Sequence, residues 1–407
     1  MSSTPAIFSS ALHNQFGTWP LAYIPYGGAD YGEILAVARA VGDGDDSAFH
    51  AAWMAAGGRL ETQADAALAA GHRTSARELY LRASCFYATS FHPLYGTPVD
   101  PRLLAAFRKE MAAFDKGMAL GDPPVTPMRI PFEHTTLPAY LIPAAGQAGA
   151  RRPLLIVTNG YDATIPDVYF FIAAAASRRG YHTLLFDGPG QGEVLYEQGI
   201  PLRPDWETVV RAVVDFALAL DVADPARIAL YGISLGGYLA PRAASGEPRL
   251  AACIADPGQW AVADGFRAAA RKLGATPAEA ADLGQLGDAT LARLEQAVEQ
   301  DPHRRWAVVQ RGFWVNGTAS LRDYLASVET YTMQGRAQAI RCPTLLTRAE
   351  EDPVADGAGT LFEALTCPKT LLPFTAQEGA ADHCETQNRS LANRRMLDWL
   401  DDVFGKS

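Results

Sequence analysis

A serine hydroxyl becomes an effective nucleophile only when a base takes its proton and a third group orients that base. One serine in the chain has a setting suited to this. Ser234 lies in the run Gly232, Ile233, Ser234, Leu235, Gly236. The apolar residues 228–231 before it predict a strand, and residues 238–240 after it predict the start of a helix. A strand that turns so sharply into a helix strains the serine backbone, and side chains two positions to either side would collide. Gly232 and Gly236 remove those side chains and leave the Ser234 hydroxyl raised above the sheet at a helix N-terminus. There the Leu235 N–H and the positive end of the helix dipole can hold a developing oxyanion. The chemistry this predicts is attack on a carbonyl carbon.

The rest of the chain must hold that turn in place. Residues up to about 122 read as helical: an Ala-, Leu-, Glu- and Arg-rich stretch over 47–91, broken at Gly57-Gly58 and at Gly71, and a second run over 101–118. After the Pro-rich segment 121–124 the pattern changes. Runs 128–132 and 137–142 predict an antiparallel hairpin. Buried-type strands follow at 154–158, 183–186, 228–231, 252–255, 344–347 and 370–372, with helices at 170–179, 206–219 and 389–404. Such alternation predicts a mostly parallel sheet covered on both faces. Residues 257–335 contain several helical runs and no clear strand, too long for a structureless loop. They predict a helical cap at the C-terminal edge of the sheet. The expected division is an N-terminal helical domain (1–125), an α/β core (126–256 and 336–407) and a cap insertion (257–335).

These features together resemble the α/β-hydrolase superfamily, whose fold is an eight-stranded, mostly parallel sheet. A narrower resemblance rests on the helical N-terminal region and three motifs: Thr158 to Asp162, Asp187-Gly188-Pro189-Gly190-Gln191-Gly192-Glu193, and Tyr231 to Gly237. That combination is similar to 2,6-dihydroxypseudooxynicotine hydrolases and fungal polyketide-shortening pigment hydrolases, near the fermentation/respiration switch protein group. The resemblance implies cleavage of a carbon–carbon bond beside a carbonyl, or of an ester, thioester or peptide bond with the same residues. It also implies the chain order Ser, then Asp or Glu, then His. Two histidines follow Ser234: His303 in the expected cap and His383 after the last expected strand, where the family carries its base. For the acid, the loop after 344–347 offers Glu350, Glu351, Asp352 and Asp356. The resemblance points to Asp352, with Glu351 and Asp356 as alternatives. A second oxyanion donor is expected from the loop Asn159-Gly160-Tyr161-Asp162, at the Tyr161 N–H.

Weaker signals compete with ordinary structural explanations. Asp162 and Asp256 fall at the expected C-terminal ends of strands, where open α/β sheets bind ligands. Gly160, Asp162, Asp256, His92 and Tyr87 are therefore candidate substrate contacts, although aromatics at helical spacing are more often core. The run 188–192 lacks the Lys-Ser/Thr of a phosphate-binding loop and reads as a structural turn.

Composition narrows the function class. The chain has 407 residues, 35 basic against 45 acidic, and a net charge of −10, a poor match to polyanionic nucleic acid. Hydrophobic residues make up 48%, enough for a substantial core and inconsistent with general disorder. Five scattered cysteines form no CxxC pair, which points to neither a disulfide framework nor a zinc site. No metal or cofactor is implied. No signal segment or membrane span is expected, so the expected location is cytoplasmic. The expected partner is a small, aromatic and apolar substrate in a closed pocket, and a homodimer is left open.

Overall fold

A computed structural model describes residues 6–405. Its centre is an eight-stranded sheet: β1 (Met128–Phe132), β2 (Thr135–Ile142), β3 (Arg152–Thr158), β4 (His182–Phe186), β5 (Ala223–Ile233), β6 (Ala252–Asp256), β7 (Thr344–Ala349) and β8 (Lys369–Phe374). The order is β1-β2-β4-β3-β5-β6-β7-β8. β2 runs antiparallel to β1 and β4, and all other pairs are parallel. Pairing of Thr158 with Gly232 and of Gly232 with Ala255 aligns the ends of β3, β5 and β6. The loops after these strands therefore meet at one edge.

The central strands are buried on both faces, as their continuous apolar runs require. Leu154 and Ile156 join one hydrophobic core with Trp206, Val213 and Leu239. Leu155 and Val157 join another with Phe49, Trp53, Phe86 and Phe114. The N-terminal helices thus share a continuous core with one face of the sheet.

The main N-terminal helices are Asp46–Ala69, Arg73–Ser90 and Pro101–Ala119. The sequence predicts a break at Gly57-Gly58, but the first of these helices continues through it. A Cβ on Gly57 would lie 2.7 Å from the Tyr87 ring, so this glycine is a notch for a close helix–helix contact. The expected break at Gly71 occurs, with φ +82°.

Between β6 and β7 the chain forms helices that include Asp264–Lys272, Asp288–Glu299 and Leu321–Glu329. They enclose a separate small core around Leu283, Leu294, Leu325 and Val328. The helical run expected near 304–314 contains a wide π-helical segment, Trp306–Gly312. Among the described residues no helix is long and apolar enough to cross a membrane.

Candidate active site

Ser234 occupies the turn between β5 and the helix Gly236–Ala244, with φ +57°. A non-glycine residue in that region stores backbone strain, so the surroundings must hold it. Its N–H donates to the Asp256 carbonyl at 2.7 Å, and its carbonyl accepts from Gln259 Nε2 at 2.5 Å. A Cβ on Gly232 would lie 1.9 Å from the Gly236 carbonyl oxygen, which is the collision expected of a tight elbow.

The structure brings three distant side chains into one line. Ser234 Oγ is 2.9 Å from His383 Nε2, and His383 Nδ1 is 2.8 Å from Asp352 Oδ2. The other Asp352 oxygen accepts from the Val354 N–H at 2.9 Å. Of the acids in this loop, Asp352 makes the contact with the imidazole. Glu351 and Asp356 make none. Burial disfavours a charged His383, but the Asp352 carboxylate on Nδ1 outweighs it and raises the imidazole above the usual 6.5. Burial also pushes the Cys384 thiol up to about 12, so it remains S–H and donates to the Asp256 carbonyl at 3.6 Å.

The loop after β3 lies against Ser234. A Cβ on Gly160 would come within 2.8 Å of the Ser234 Cβ. Asn159 shapes this loop: its Oδ1 accepts from Gly160 N at 2.8 Å and its Nδ2 donates to the Ala163 carbonyl at 2.6 Å. Gln191 Nε2 donates to the Asn159 carbonyl at 2.9 Å. The glycine-rich run 188–192 is thus a brace, and Gln191 is its working side chain. Among the described residues, neither the Leu235 nor the Tyr161 N–H has a protein acceptor.

Beside Ser234 lies a cavity of about 180 Å³, whose walls include Tyr161, Leu235, Gln259, Asn316, Tyr324 and Tyr331. Drug-sized ligands usually occupy roughly 300–1,000 Å³, so this space is smaller than such a ligand requires. Val354 also lines it and is 41% exposed, so the cavity opens to solvent there. Asn316 Nδ2 donates to the Tyr161 hydroxyl at 2.5 Å. Burial raises the Tyr161 phenol well above its usual value and that of Tyr324 to about 12. Both remain hydrogen-bond donors.

Several expected substrate contacts do not reach this cavity. The Asp162 carboxylate accepts from Arg311 Nε at 2.6 Å, and its carbonyl accepts from the Tyr95 hydroxyl at 2.8 Å. It joins the helical segment between β6 and β7, the loop after β3 and the N-terminal region. Asp256 is fully buried beneath the elbow, bonded to Tyr231, Thr347 and Arg389. His92 stacks on Phe16 at 4.2 Å, and burial pushes its imidazole down to about 4. Tyr87 donates to Glu61 at 2.8 Å within the N-terminal helices. Their types suited binding, but each is occupied by structural partners.

Sequence reasoning also missed contributors. Gln259, Asn316, Tyr324 and Tyr331 line the cavity from the cap and its approach. Gln259 comes just after β6, and Asn316, Tyr324 and Tyr331 have no strand or motif beside them to mark them. Arg389, fully buried, donates to Asp256 at 2.8 Å, to the Cys384 carbonyl at 2.8 Å and to the Tyr231 hydroxyl at 2.6 Å. It spans the elbow strand and the His383 loop, where Cys384 and Glu385 adopt left-handed φ of +55° and +49°. Among the described residues no cluster of His, Cys, Asp or Glu is placed to hold a metal ion.

Residues 154–386 match the model of the alpha/beta hydrolase family. The chain belongs to that family. It is 33% identical to the 20-hydroxy-prefusarin hydrolase FUS2 of Gibberella moniliformis, over 98% of each chain. It is 35% identical to the hydrolase acrC of Aspergillus aculeatus, over 94% of each. Among solved structures it is similar to 2,6-dihydroxy-pseudo-oxynicotine hydrolase, with TM-score 0.73 and 23% identity over 94% of this chain and 95% of that one. The last likeness shows the shared fold, N-terminal helices included. The protein is an alpha/beta hydrolase enzyme with a small-molecule substrate.

Proposed function

We propose that this hydrolase cleaves a carbon–carbon bond beside a carbonyl in an aromatic or polyketide-like substrate, through a Ser-His-Asp triad. The observation that carries the reading is the line from Ser234 Oγ through His383 to Asp352, with successive contacts of 2.9 and 2.8 Å at the edge of a cavity. Ser234 Oγ attacks the carbonyl carbon as His383 Nε2 takes its proton. Asp352 holds the imidazole tautomer and stabilises the imidazolium without itself becoming protonated. The oxyanion is held by the Leu235 and Tyr161 N–H groups. Such donors are typically worth about 10²–10³ in rate. The carbon–carbon bond then breaks with its electron pair on the leaving carbon, which takes the proton from His383. Water, deprotonated by His383, releases the acid from Ser234.

The choice of a carbon–carbon bond is supported by the resemblance to carbon–carbon hydrolases and by the cavity's neutral donors. Tyr161, Tyr324 and Asn316 suit the oxygens of a ketone or phenol. The relative named as a 20-hydroxy-prefusarin hydrolase supports the substrate class. Paired assays test the reading: acyl-aromatic ketones against aryl esters and thioesters. Ketone cleavage that disappears in Ser234→Ala is expected. Fast ester turnover with no ketone cleavage reassigns the enzyme as an esterase, thioesterase or peptidase. Failure of a fluorophosphonate to label Ser234 removes the nucleophilic mechanism, leaving a binding role for the fold.

A further inference from the structure

A second and larger cavity shares no lining residue with the one beside Ser234. It is a cleft of about 1,010 Å³ where the N-terminal helices meet the segment after β2 and the helix Ala174–Arg178. Four arginines line it: Arg73, Arg77, Arg82 and Arg178. Arg82 is neutralised by Asp30 at 2.8 Å and Glu33 at 3.2 Å. The other three have no carboxylate partner among the described residues. Each makes a long contact to a neutral oxygen: Arg73 to the Ala119 carbonyl (3.3 Å), Arg77 to the Tyr169 hydroxyl (3.4 Å) and Arg178 to the Pro25 carbonyl (3.5 Å), and Arg178 also lies over the Tyr26 ring at 5.4 Å. The Arg77 Nε is buried with no acceptor.

Elsewhere many guanidinium groups pair with carboxylates, as Arg242 does with Glu207 and Arg203 with Asp205. Arg73, Arg77 and Arg178 instead line one shared cleft without a carboxylate partner. Two acids, Glu78 and Asp122, also line the cleft, yet neither pairs with these arginines. A second feature has the same sign. The 18-residue helix Arg73–Ser90 begins at the cleft with no side-chain cap and no acid in its first turn. Its free N–H groups and positive dipole end favour an anion.

We propose that this cleft is a second ligand site, for a small organic anion whose carboxylate or phosphate head is held by Arg73, Arg77 and Arg178. Planar guanidinium forks match both heads bidentately. Leu81, Met118, Leu120 and Phe170 supply apolar wall for the rest of the ligand. A ligand there bridges the N-terminal helices and the sheet layer, so binding stabilises the whole chain. The site does not depend on the Ser234 chemistry.

Calorimetric and thermal-shift titrations of the full chain test this, with pyrophosphate, citrate and octanoate as probes at constant ionic strength set by sodium chloride. The expected result is saturable binding of at least one probe, accompanied by a rise in Tm. The tighter class identifies the head group. Arg77→Gln combined with Arg178→Gln should weaken Kd by about tenfold or more, as loss of a charge-assisted contact does. Glu78→Gln should tighten it. Arg178 is exposed, so Arg178→Gln alone serves if the double variant fails to fold, and it should also weaken binding. Three results overturn the proposal: no saturable binding to about 10 mM, a Tm shift that chloride reproduces, or unchanged affinity in the arginine variants.

Discussion

Two buried aspartates stand at the ends of neighbouring strands and do opposite work. Asp352 follows β7 and faces an imidazole, His383 Nδ1, at 2.8 Å. Asp256 ends β6 and faces a guanidinium, Arg389 Nη1, also at 2.8 Å. The distances are equal and the side chains are both buried. Burial alone would raise the Asp256 pKa, but Arg389 outweighs it and holds the carboxylate below its usual range. The difference lies in the counter-charge. Arg389 is permanently charged, so its attraction is complete in the resting enzyme. In the proposed mechanism His383 becomes fully charged as it takes the serine proton, so the Asp352 field strengthens its hold as the reaction advances. Only interactions that grow toward the transition state accelerate chemistry.

The sharpest test exchanges charge for shape at each aspartate. Asp352→Asn should lower kcat/KM by about 10⁴-fold, the loss expected when the imidazole is held in the wrong tautomer. Its stability, read by urea unfolding, should change by less than about 1 kcal/mol. An equal kinetic loss in Asp256→Asn with stability intact would collapse the distinction and make Asp256 part of the chemistry.

Arg389→Met should have the next largest effect, on folding. Removing one partner of a buried ion pair leaves a carboxylate without compensation and typically costs about 3–5 kcal/mol. The same guanidinium holds the Cys384 carbonyl next to His383, so surviving folded protein should show a lower kcat with KM little changed. Chemical denaturation and steady-state kinetics on one preparation separate the two.

The two aspartates also differ in their pH signatures. The His383 pKa is raised, so the charged imidazole is the stabilised form. Its contribution to stability is complete below about 6.5 and fades as pH rises through the folded-state value. Activity has the opposite sign, because the base must be neutral to accept a proton. The acid limb of kcat/KM should therefore sit above 6.5 and move down in Asp352→Asn residual activity. A limb at or below 6.5 in the native enzyme contradicts the raised pKa.

What the sequence reveals follows the same division between chemistry and support. Gly232, Ser234 and Gly236 are legible because a strained elbow allows few residues, and local sequence alone defines it. All eight strands are legible because continuous apolar runs between turns have one natural home. The N-terminal helix through Gly57 was misread, since a glycine notch for Tyr87 depends on a partner 30 positions away in sequence. Asp256 resembled a ligand-edge acid because its position fitted. Its actual partner, Arg389, lies 133 residues further on. The cap tyrosines carried no periodic or motif signal, because a pocket wall is defined only when separate loops are brought together. Asp352 itself was separated from Glu351 and Asp356 by resemblance, and only its contact with His383 gives a physical reason.

The smallest effect tests the quiet member of the Arg389 cluster. Glu385 is fully buried, 3.6 Å from Arg389, and both its oxygens lack a hydrogen-bond partner. Burial first, then the Asp256 charge, pushes its pKa well above 4.5, and Arg389 only partly offsets them. The neutral acid is therefore favoured over the carboxylate at this position. A neutral amide of the same shape should replace it at a cost within about 1 kcal/mol. The sign with pH is specific. A carboxyl raised in the folded state retains a proton that the unfolded chain releases, so native stability falls as pH climbs above 4.5. Glu385→Gln has no proton to retain and loses that slope. Paired melts at pH 5 and pH 8 should show the variant gaining on the native enzyme at the higher pH. Strong destabilisation at both would make Glu385 an ionised partner of Arg389, and the guanidinium would then be shared between two charges rather than committed to Asp256.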